Sequence, residues 1–516
     1  MGYIKKCNIK ETTVMFKNFP AGRGQLPRVL SNDDGEEMTE PLYGNRCLQF
    51  FVPHGVNRYA PLQIRDYEDV MQNRFAPALE SGCDGWSICY NFGAMLWEPP
   101  ENDLPGVPAD PLKALEKRWH SGKERQFFLS MRVNDLHHRY YNRPRFWTEE
   151  RIANRKFFQG PLSEEYWKKI LVPWIKSGKI PPVKVTENGL LWVTHHYELE
   201  EHPELAKTAL SYDFTHPEVR ELNLRHLAEA FEHCDADGVE LDFLRFWWLF
   251  PEGKNRPELV TAWIAQVRAL VDRQAEKAGH PVKLIARVLE NPEEQQAMGH
   301  DVEEWLKRGF FDAVIIGRGF LYSHPCIKNS IDLAHKYNCP VYGAFDSGHF
   351  CGTRFRTPQA MRAAISALYC QSVEGIYFFN HYAPSEYYLF DDAAEPEQLA
   401  KRPKEYFVDT GYLHDWPWNS GGLPAVLEKG EGEFLLYFAD EPSRAERLQI
   451  DYDTAVPFPI SVKINGRKIT LRNTPGQAVS RSSQELADAL VCGHNRIELK
   501  FPAGNVNIAG IGISSN

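Results

Sequence analysis

No apolar stretch of the 516-residue chain approaches the roughly 18 to 20 residues that span a bilayer, so the sequence offers no membrane-spanning helix. Basic clusters are missing too: acidic side chains outnumber basic ones 69 to 59, for a formal charge of −10. Nonspecific nucleic-acid binding, which depends on neutralising phosphates, is not expected. The ten cysteines are scattered at 7, 47, 83, 89, 234, 326, 339, 351, 370 and 492, with no CxxC pair and no metal-finger spacing. They read as buried free thiols. The opening MGYIKKCNIKETTVMF lacks the apolar core of a secretory signal, so the chain is expected to be cytoplasmic, or exported with its leader removed. Low-complexity tracts are absent, as is any repeat beyond an alternation of apolar runs and helical segments. What the chain has in excess is aromatic, with 30 Phe, 22 Tyr and 13 Trp.

Eight short apolar runs end in polar or aromatic residues: 47–55, 85–93, 125–135, 237–246, 282–290, 311–319, 340–348 and 374–382. Helical periodicity separates most of them, a rhythm that points to α/β architecture and a parallel (β/α)8 TIM barrel over 46–420. The clearest helix precedes the fourth run, where Thr215 and Glu218 have capping-box spacing and the helix is expected to end near Cys234. Residues 259–278 and 358–371 read as further helices. The irregular stretch 136–214, rich in Trp, Tyr and His, is expected to lie over the barrel's C-terminal face as one wall of a cleft. From 425 to 516 short alternating segments, with Asn465-Gly466 as a hairpin turn, read as a C-terminal antiparallel β-sandwich. Residues 1–45 form an N-terminal segment with a turn or loop at Asn32-Asp33-Asp34-Gly35.

Polar groups at the C-terminal ends of barrel strands are where this fold builds active sites. In DGVELDFLRF (237–246), Glu240 and Asp242 are two apart on a strand and so share its inward face, with Asp242 nearer the mouth. Burying a carboxylate there needs a reason. For Glu240 the simple reason is an ion pair with Arg287 of the next strand; for Asp242 it is catalysis.

This segment and the helix before it resemble the fourth-strand signature of the family 10-like glycosyl-hydrolase proteins, whose motif runs D-G-hydrophobic-x-hydrophobic-D-aromatic-x-R. SMRVNDLHH (130–138), GIYFFNHY and the terminal sandwich resemble large bacterial relatives of that group. The resemblance implies a carbohydrate-active enzyme. Glycoside cleavage normally uses two carboxyl groups, about 5 to 5.5 Å apart for retention or about 6.5 to 9.5 Å for inversion. Asp242 is expected as nucleophile or base and Glu290, ending the fifth strand, as general acid; the parity of Glu290 against Arg287 requires a bend at the strand end. Asp346 and Asp135 are the next candidates. Asp, Glu and Asp on strands four, five and seven are similar to the α-amylase superfamily, but that family has Arg where this chain has Glu240. Family 18 chitinases have Glu where this chain has Leu244.

Arg245 is placed to orient Asp242 or a substrate hydroxyl. Asn134, Asp135, His138, His195, His324, Asp346, His349 and Asn380 are expected to line a polar basin that binds sugar, and Trp247 and Trp248 to stack on sugar rings. Arg132, Arg245, Arg318 and Arg354 are candidates for an acidic or sulfated sugar. The expected function is a glycoside hydrolase without catalytic cofactor, acting on an oligo- or polysaccharide. Its rivals are a metal-dependent hydrolase or isomerase, disfavoured by the absence of HExxH and of HxH on the first strand, and a non-catalytic carbohydrate-binding barrel.

Overall fold

The structure is a computed structural model. It describes residues 25–34, 66–91, 106–134 and 206–516 with short interruptions, the longest at 348–354, 410–421 and 454–458. Eight parallel strands close a barrel: β1 (Val29–Asp33), β2 (Gly85–Cys89), β3 (Gln126–Arg132), β4 (Gly238–Asp242), β5 (Lys283–Val288), β6 (Ala313–Ile316), β7 (Val341–Phe345) and β8 (Gly375–Phe379). Each pairs with its sequence neighbours, and β1 pairs with β8. The chain is therefore a (β/α)8 TIM barrel followed by a domain of antiparallel sheets.

Seven of the eight strands fall where periodicity predicts them, and the first does not. Residues 47–55 lie outside the described residues, and the ring takes its first strand from Val29–Asp33. The barrel thus begins well before residue 46. The composition of Asn32-Asp33-Asp34 predicts a turn because polar residues usually break strands; in the fold that polarity sits at the C-terminal end of a barrel strand, by the mouth.

Strand alternation sorts the core into two layers. Odd-face residues such as Trp86, Phe127, Leu129, Val239, Leu241, Ala286, Val314 and Phe378 meet the surrounding helices. The other face fills the barrel, with Leu30, Phe128, Ile285, Ala313, Ile315, Tyr342, Ala344, Tyr377 and Phe379 in one buried cluster. Gly238 is required by this filling: a Cβ there would sit 2.2 Å from Phe128 Cε1.

At the opposite, N-terminal end a repeated brace joins strands in pairs. Asp84, Asp237, Asp312 and Glu374, each just ahead of an even-numbered strand, accept the amide N–H of Val29, Phe127, Leu284 and Val341 at the start of the odd strand before it, at 2.7, 2.8, 2.8 and 2.7 Å. The acid-plus-small dipeptides Asp-Gly, Asp-Gly, Asp-Ala and Glu-Gly are a sequence repeat that periodicity alone passes over.

Helices cover the barrel between strands: α1 (Pro111–Trp119), α2 (Pro217–His233), α3 (Pro257–Ala278), α4 (Pro292–Ala297), α5 (Val302–Lys307), α6 (Pro325–Lys336) and α7 (Pro358–Cys370). The predicted capping box does not form. α2 starts at Pro217, a residue suited to the first helical position, and the Thr215 hydroxyl donates instead to Asp213 at 2.7 Å. It ends at Cys234 as expected.

The C-terminal domain begins earlier than residue 425. β9 (Lys404–Phe407) lies at one end of a sheet ordered β9-β18-β12-β16-β15, in which β12 is Ala445–Asp453, β15 Leu471–Thr474, β16 Gln477–Ser480 and β18 Val506–Ser515; β10 (Ala425–Leu427) also pairs with β18. A second sheet orders β11 (Glu431–Phe438), β17 (Gly493–Lys500), β13 (Ser461–Ile464) and β14 (Arg467–Ile469). Both sheets contribute to one apolar cluster. Asn465 and Gly466, at φ 51° and 81°, make the predicted hairpin turn. Lys404, buried on Asp440 at 3.0 Å, anchors the start of this domain.

Candidate active site

At the mouth of the barrel the inward faces of β1, β3, β4, β5 and β8 converge on Asp242. Register places Arg132 and Arg287 beside it on the two flanking strands. Asp242 Oδ1 accepts the Leu244 amide at 2.9 Å, which fixes the carboxylate at the strand's end. Its Oδ2 lies 3.3 Å from Arg132 Nε and 3.5 Å from Arg287 Nη1. Arg132 reaches on to Asp34, and Asp34 Oδ2 accepts Asn380 Nδ2 at 2.8 Å. Arg287 donates to the carbonyls of Gly317 and Arg318 at 3.2 and 3.1 Å, and its guanidinium lies 3.8 Å from the centre of the Phe379 ring. The result is one chain of contacts, Asn380–Asp34–Arg132–Asp242–Arg287, closed beneath by Phe379.

One layer deeper, Glu240 accepts hydrogen bonds from Asn32 Nδ2 at 3.1 Å and from the Tyr377 hydroxyl at 2.6 Å, and meets the Ser87 hydroxyl. The expected Glu240–Arg287 pair is not what forms: the register brings Arg287 level with Asp242, and Ile285 level with Glu240. Burial, and then the Asp242 charge, push the Glu240 carboxyl above its usual 4.5, against hydrogen bonds from Ser87 and Tyr377 that favour the anion.

Glu290 has surroundings unlike those expected of a general acid. Both oxygens are held by Arg318, whose amide reaches Oε1 at 2.7 Å and whose Nε reaches Oε2 at 2.9 Å. The same guanidinium is 3.4 Å from Glu294. The parity problem is the cause, because Arg287 and Leu289 take one face and Glu290 the other, toward Arg318 and α4. At positive φ, Gly317 gives the clamp room, since a Cβ there would lie 3.0 Å from Glu290 Cγ. Asp346 continues the inward parity of Tyr342 and Ala344 at the end of β7 and is half-buried.

The remaining predicted residues divide. Asn134 is tied into the scaffold, donating to the Trp248 carbonyl at 3.2 Å and accepting the Tyr212 amide at 2.7 Å. Trp247 is buried with the Arg318 guanidinium 5.1 Å from its ring centre, whereas Trp248 stands edge-on to it and is half-buried. Arg132 and Arg318 are engaged with carboxylates of the chain itself, which corrects their reading as receptors for an acidic sugar. Asp135, His138, His195, Arg245, His324 and His349 lie outside the described residues, as do His54, His196, Phe246 and Arg354 and most of 136–214. His381 is buried between Ser347 and the Glu386 carbonyl. Among the described residues no group of three or more His, Cys, Asp or Glu is placed to hold a metal ion, and no helix is long and apolar enough to cross a membrane. Sequence reading missed Asp34, Arg287 as a partner of Asp242, and the Ser87–Asn32–Tyr377 seat of Glu240. Counting alternate residues along the predicted strands identifies Arg287, Ser87 and Tyr377, but not Asn32 and Asp34, which lie in and just after the first strand, disguised by its composition as a loop.

No protein-family model matches the chain, and no curated protein does. Solved structures similar to it include an Anoxybacillus alpha-amylase, at 11% identity and TM-score 0.40 over 92% of this chain and 98% of that one. A family 36 alpha-galactosidase from Geobacillus stearothermophilus aligns at 10% identity and TM-score 0.36, over 95% of this chain and 58% of its own length. An alpha-amylase from Geobacillus thermoleovorans aligns at 11% and 0.34, over 94% and 100%. Likenesses this distant do not assign a chemistry to the chain, and nothing singles out the family 10-like group.

Proposed function

We propose that the protein is a glycoside hydrolase whose mouth layer works on a carbohydrate through Asp242 and a second carboxyl group. The observation that carries this reading is Asp242 itself, a carboxylate at the C-terminal end of a barrel strand between two guanidiniums. Such compensation suits a group that must be anionic, as a nucleophile or a base activating water is. Asp346 is the better placed of the proposed acids, with inward parity and access to solvent. Glu290 takes that role only by leaving Arg318, which holds both its oxygens. Trp248 offers the less covered indole for stacking on a sugar face. Asn380 Oδ1, without a partner among the described residues, is an acceptor for a sugar hydroxyl.

The test is hydrolysis of a panel of aryl α- and β-glycosides and natural oligosaccharides by the full chain. Asp242→Asn is expected to lower kcat on the order of 10³-fold or more, and Asp346→Asn on the order of 10²-fold or more. Activity that survives Asp242→Asn rejects the assignment. Loss of activity in chelator, with recovery on adding a divalent ion, favours the metal-dependent class. One observation favours a binding barrel without turnover: Asp242 is 1% exposed. Sugar binding retained in Asp242→Asn, with no hydrolysis of any glycan by the parent protein, would establish that reading.

A further inference from the structure

Among the described residues, β1, β3, β4 and β5 and the residue just after β1 bring three carboxyl groups inward, on Asp34, Glu240 and Asp242, but two guanidiniums, on Arg132 and Arg287. Arg132 bridges Asp34 and Asp242, and Arg287 approaches Asp242. These contacts balance two of the three carboxylates. Glu240, fully buried, has only neutral groups in hydrogen-bonding contact among the described residues: the Ser87 hydroxyl, the Asn32 amide at 3.1 Å and the Tyr377 hydroxyl at 2.6 Å. The donors in that seat favour the anion, but burial outweighs them, and a carboxylic acid can also be held there because the Ser87 and Tyr377 hydroxyls can each donate or accept.

We propose that Glu240 is a neutral carboxylic acid in the working protein and is the positioning residue for Asp242, keeping a second negative charge out of the layer beneath it. The inference rests on the reading of Asp242 as the reactive carboxylate. Facing Glu240, β1 presents Asn32, which also donates to Ser130 of β3 at 3.1 Å; β2 presents Ser87 and β8 presents Tyr377. Asp242 on its own strand opposes ionisation and Arg287 of β5 favours it. Within β6 and β7 the interior positions are Ala313, Ile315, Tyr342 and Ala344, which bring no charge; the inward carboxyl of Asp346 lies beyond the end of β7, at the mouth. Tyr377 is itself held neutral by burial, which pushes its hydroxyl well above the usual range. When Glu240 loses its proton, the new charge faces Asp242 two residues away, about 7 Å along the strand. The Arg132 and Arg287 contacts then divide between two carboxylates, and Asp242 loses the arrangement its chemistry needs.

The experiment is infrared difference spectroscopy of the full chain at neutral pH, paired with the pH dependence of kcat. A protonated-carboxyl stretch is expected in the parent and in Asp242→Asn and is expected to vanish in Glu240→Gln. The alkaline limb of the parent's kcat profile is expected to follow loss of that band and to be missing from Glu240→Gln whatever that variant's absolute rate. A purely structural role for Glu240 leaves the limb in place. The proposal is overturned if the parent shows no band assignable to Glu240, or if the limb persists in the variant. It is also overturned if Glu240→Gln, the neutral near-isostere, cannot fold; titrating the band in the parent alone is a second, independent test. A band without glycoside hydrolysis sinks the proposed function and leaves the protonation standing, while hydrolysis without the band does the reverse.

Discussion

Asp242→Asn is the substitution whose cost can be worked from the mouth layer itself. The amide keeps the side chain's shape and the Oδ1 that accepts Leu244 N–H at 2.9 Å. It removes the charge that faces Arg132 at 3.3 Å and Arg287 at 3.5 Å. Stripping one partner from a buried ion pair costs about 3 to 5 kcal/mol, because the other charge stays in the interior uncompensated. Both arginines keep other partners. Arg132 retains Asp34, and Arg287 retains two carbonyls and the Phe379 ring. The expected loss is therefore at the low end, about 3 kcal/mol, or roughly 150-fold in the barrel's folding equilibrium. Urea unfolding followed by tryptophan fluorescence measures it, provided the barrel transition is separated from that of the sheet domain. Combining the change with Arg287→Met removes one stranded cation, so the double variant should be more stable than the sum of the singles by about 1 kcal/mol or more. A single variant within about 0.5 kcal/mol of the parent, or a strictly additive pair, refutes the account of Asp242 as the anion on which two guanidiniums depend.

Three further outcomes concern the frame around the site. Although burial pulls His120 down, hydrogen bonds with Asp237 and Glu116 and their charges outweigh it and raise the imidazole from 6.5 to about 9. Its stabilising contribution is thus complete below pH 6.5 and fades as pH rises through about 9; His120→Asn should flatten that alkaline decline in denaturation midpoints, and matching slopes in the two proteins would count against the brace. His300 behaves oppositely: burial against Phe243 and Trp305 lowers it to about 4, so the unfolded chain takes the proton first. Stability should fall by about 3 kcal/mol as pH drops from 6.5 through about 4, and His300→Phe should abolish that acid limb in a urea series; an unchanged limb assigns it elsewhere. Gly238→Ala should destabilise the barrel by about 2 to 3 kcal/mol, the upper part of the overpacking range, by driving a methyl group to within 2.2 Å of Phe128 Cε1. Gly279→Ala, with open space at φ +73°, should cost about 1 kcal/mol from backbone strain alone, and equal thermal shifts for the two would contradict the packing argument.

The order of strands and helices was legible in the chain because alternation and helical periodicity are local properties. Glu240 and Asp242 had to share a face once 237–246 was a strand, and Asn465-Gly466 had to turn, for the same reason. Partner choice is not local. Whether Arg287 meets Glu240 or Asp242 depends on the register between β4 and β5, set by the closure of the whole ring. The first strand was misplaced because Asn32, Asp33 and Asp34 have the composition of a loop, and only their position at the barrel's mouth makes them the end of a strand. Glu290 shows the same limit: its parity was visible in sequence, but the Arg318 that claims both its oxygens comes from the end of the next strand, 28 residues on. The sequence by itself determined which side chains can face the barrel's interior. Only the tertiary structure decided which charges compensate one another there, because that depends on distances across strands that no stretch of sequence contains.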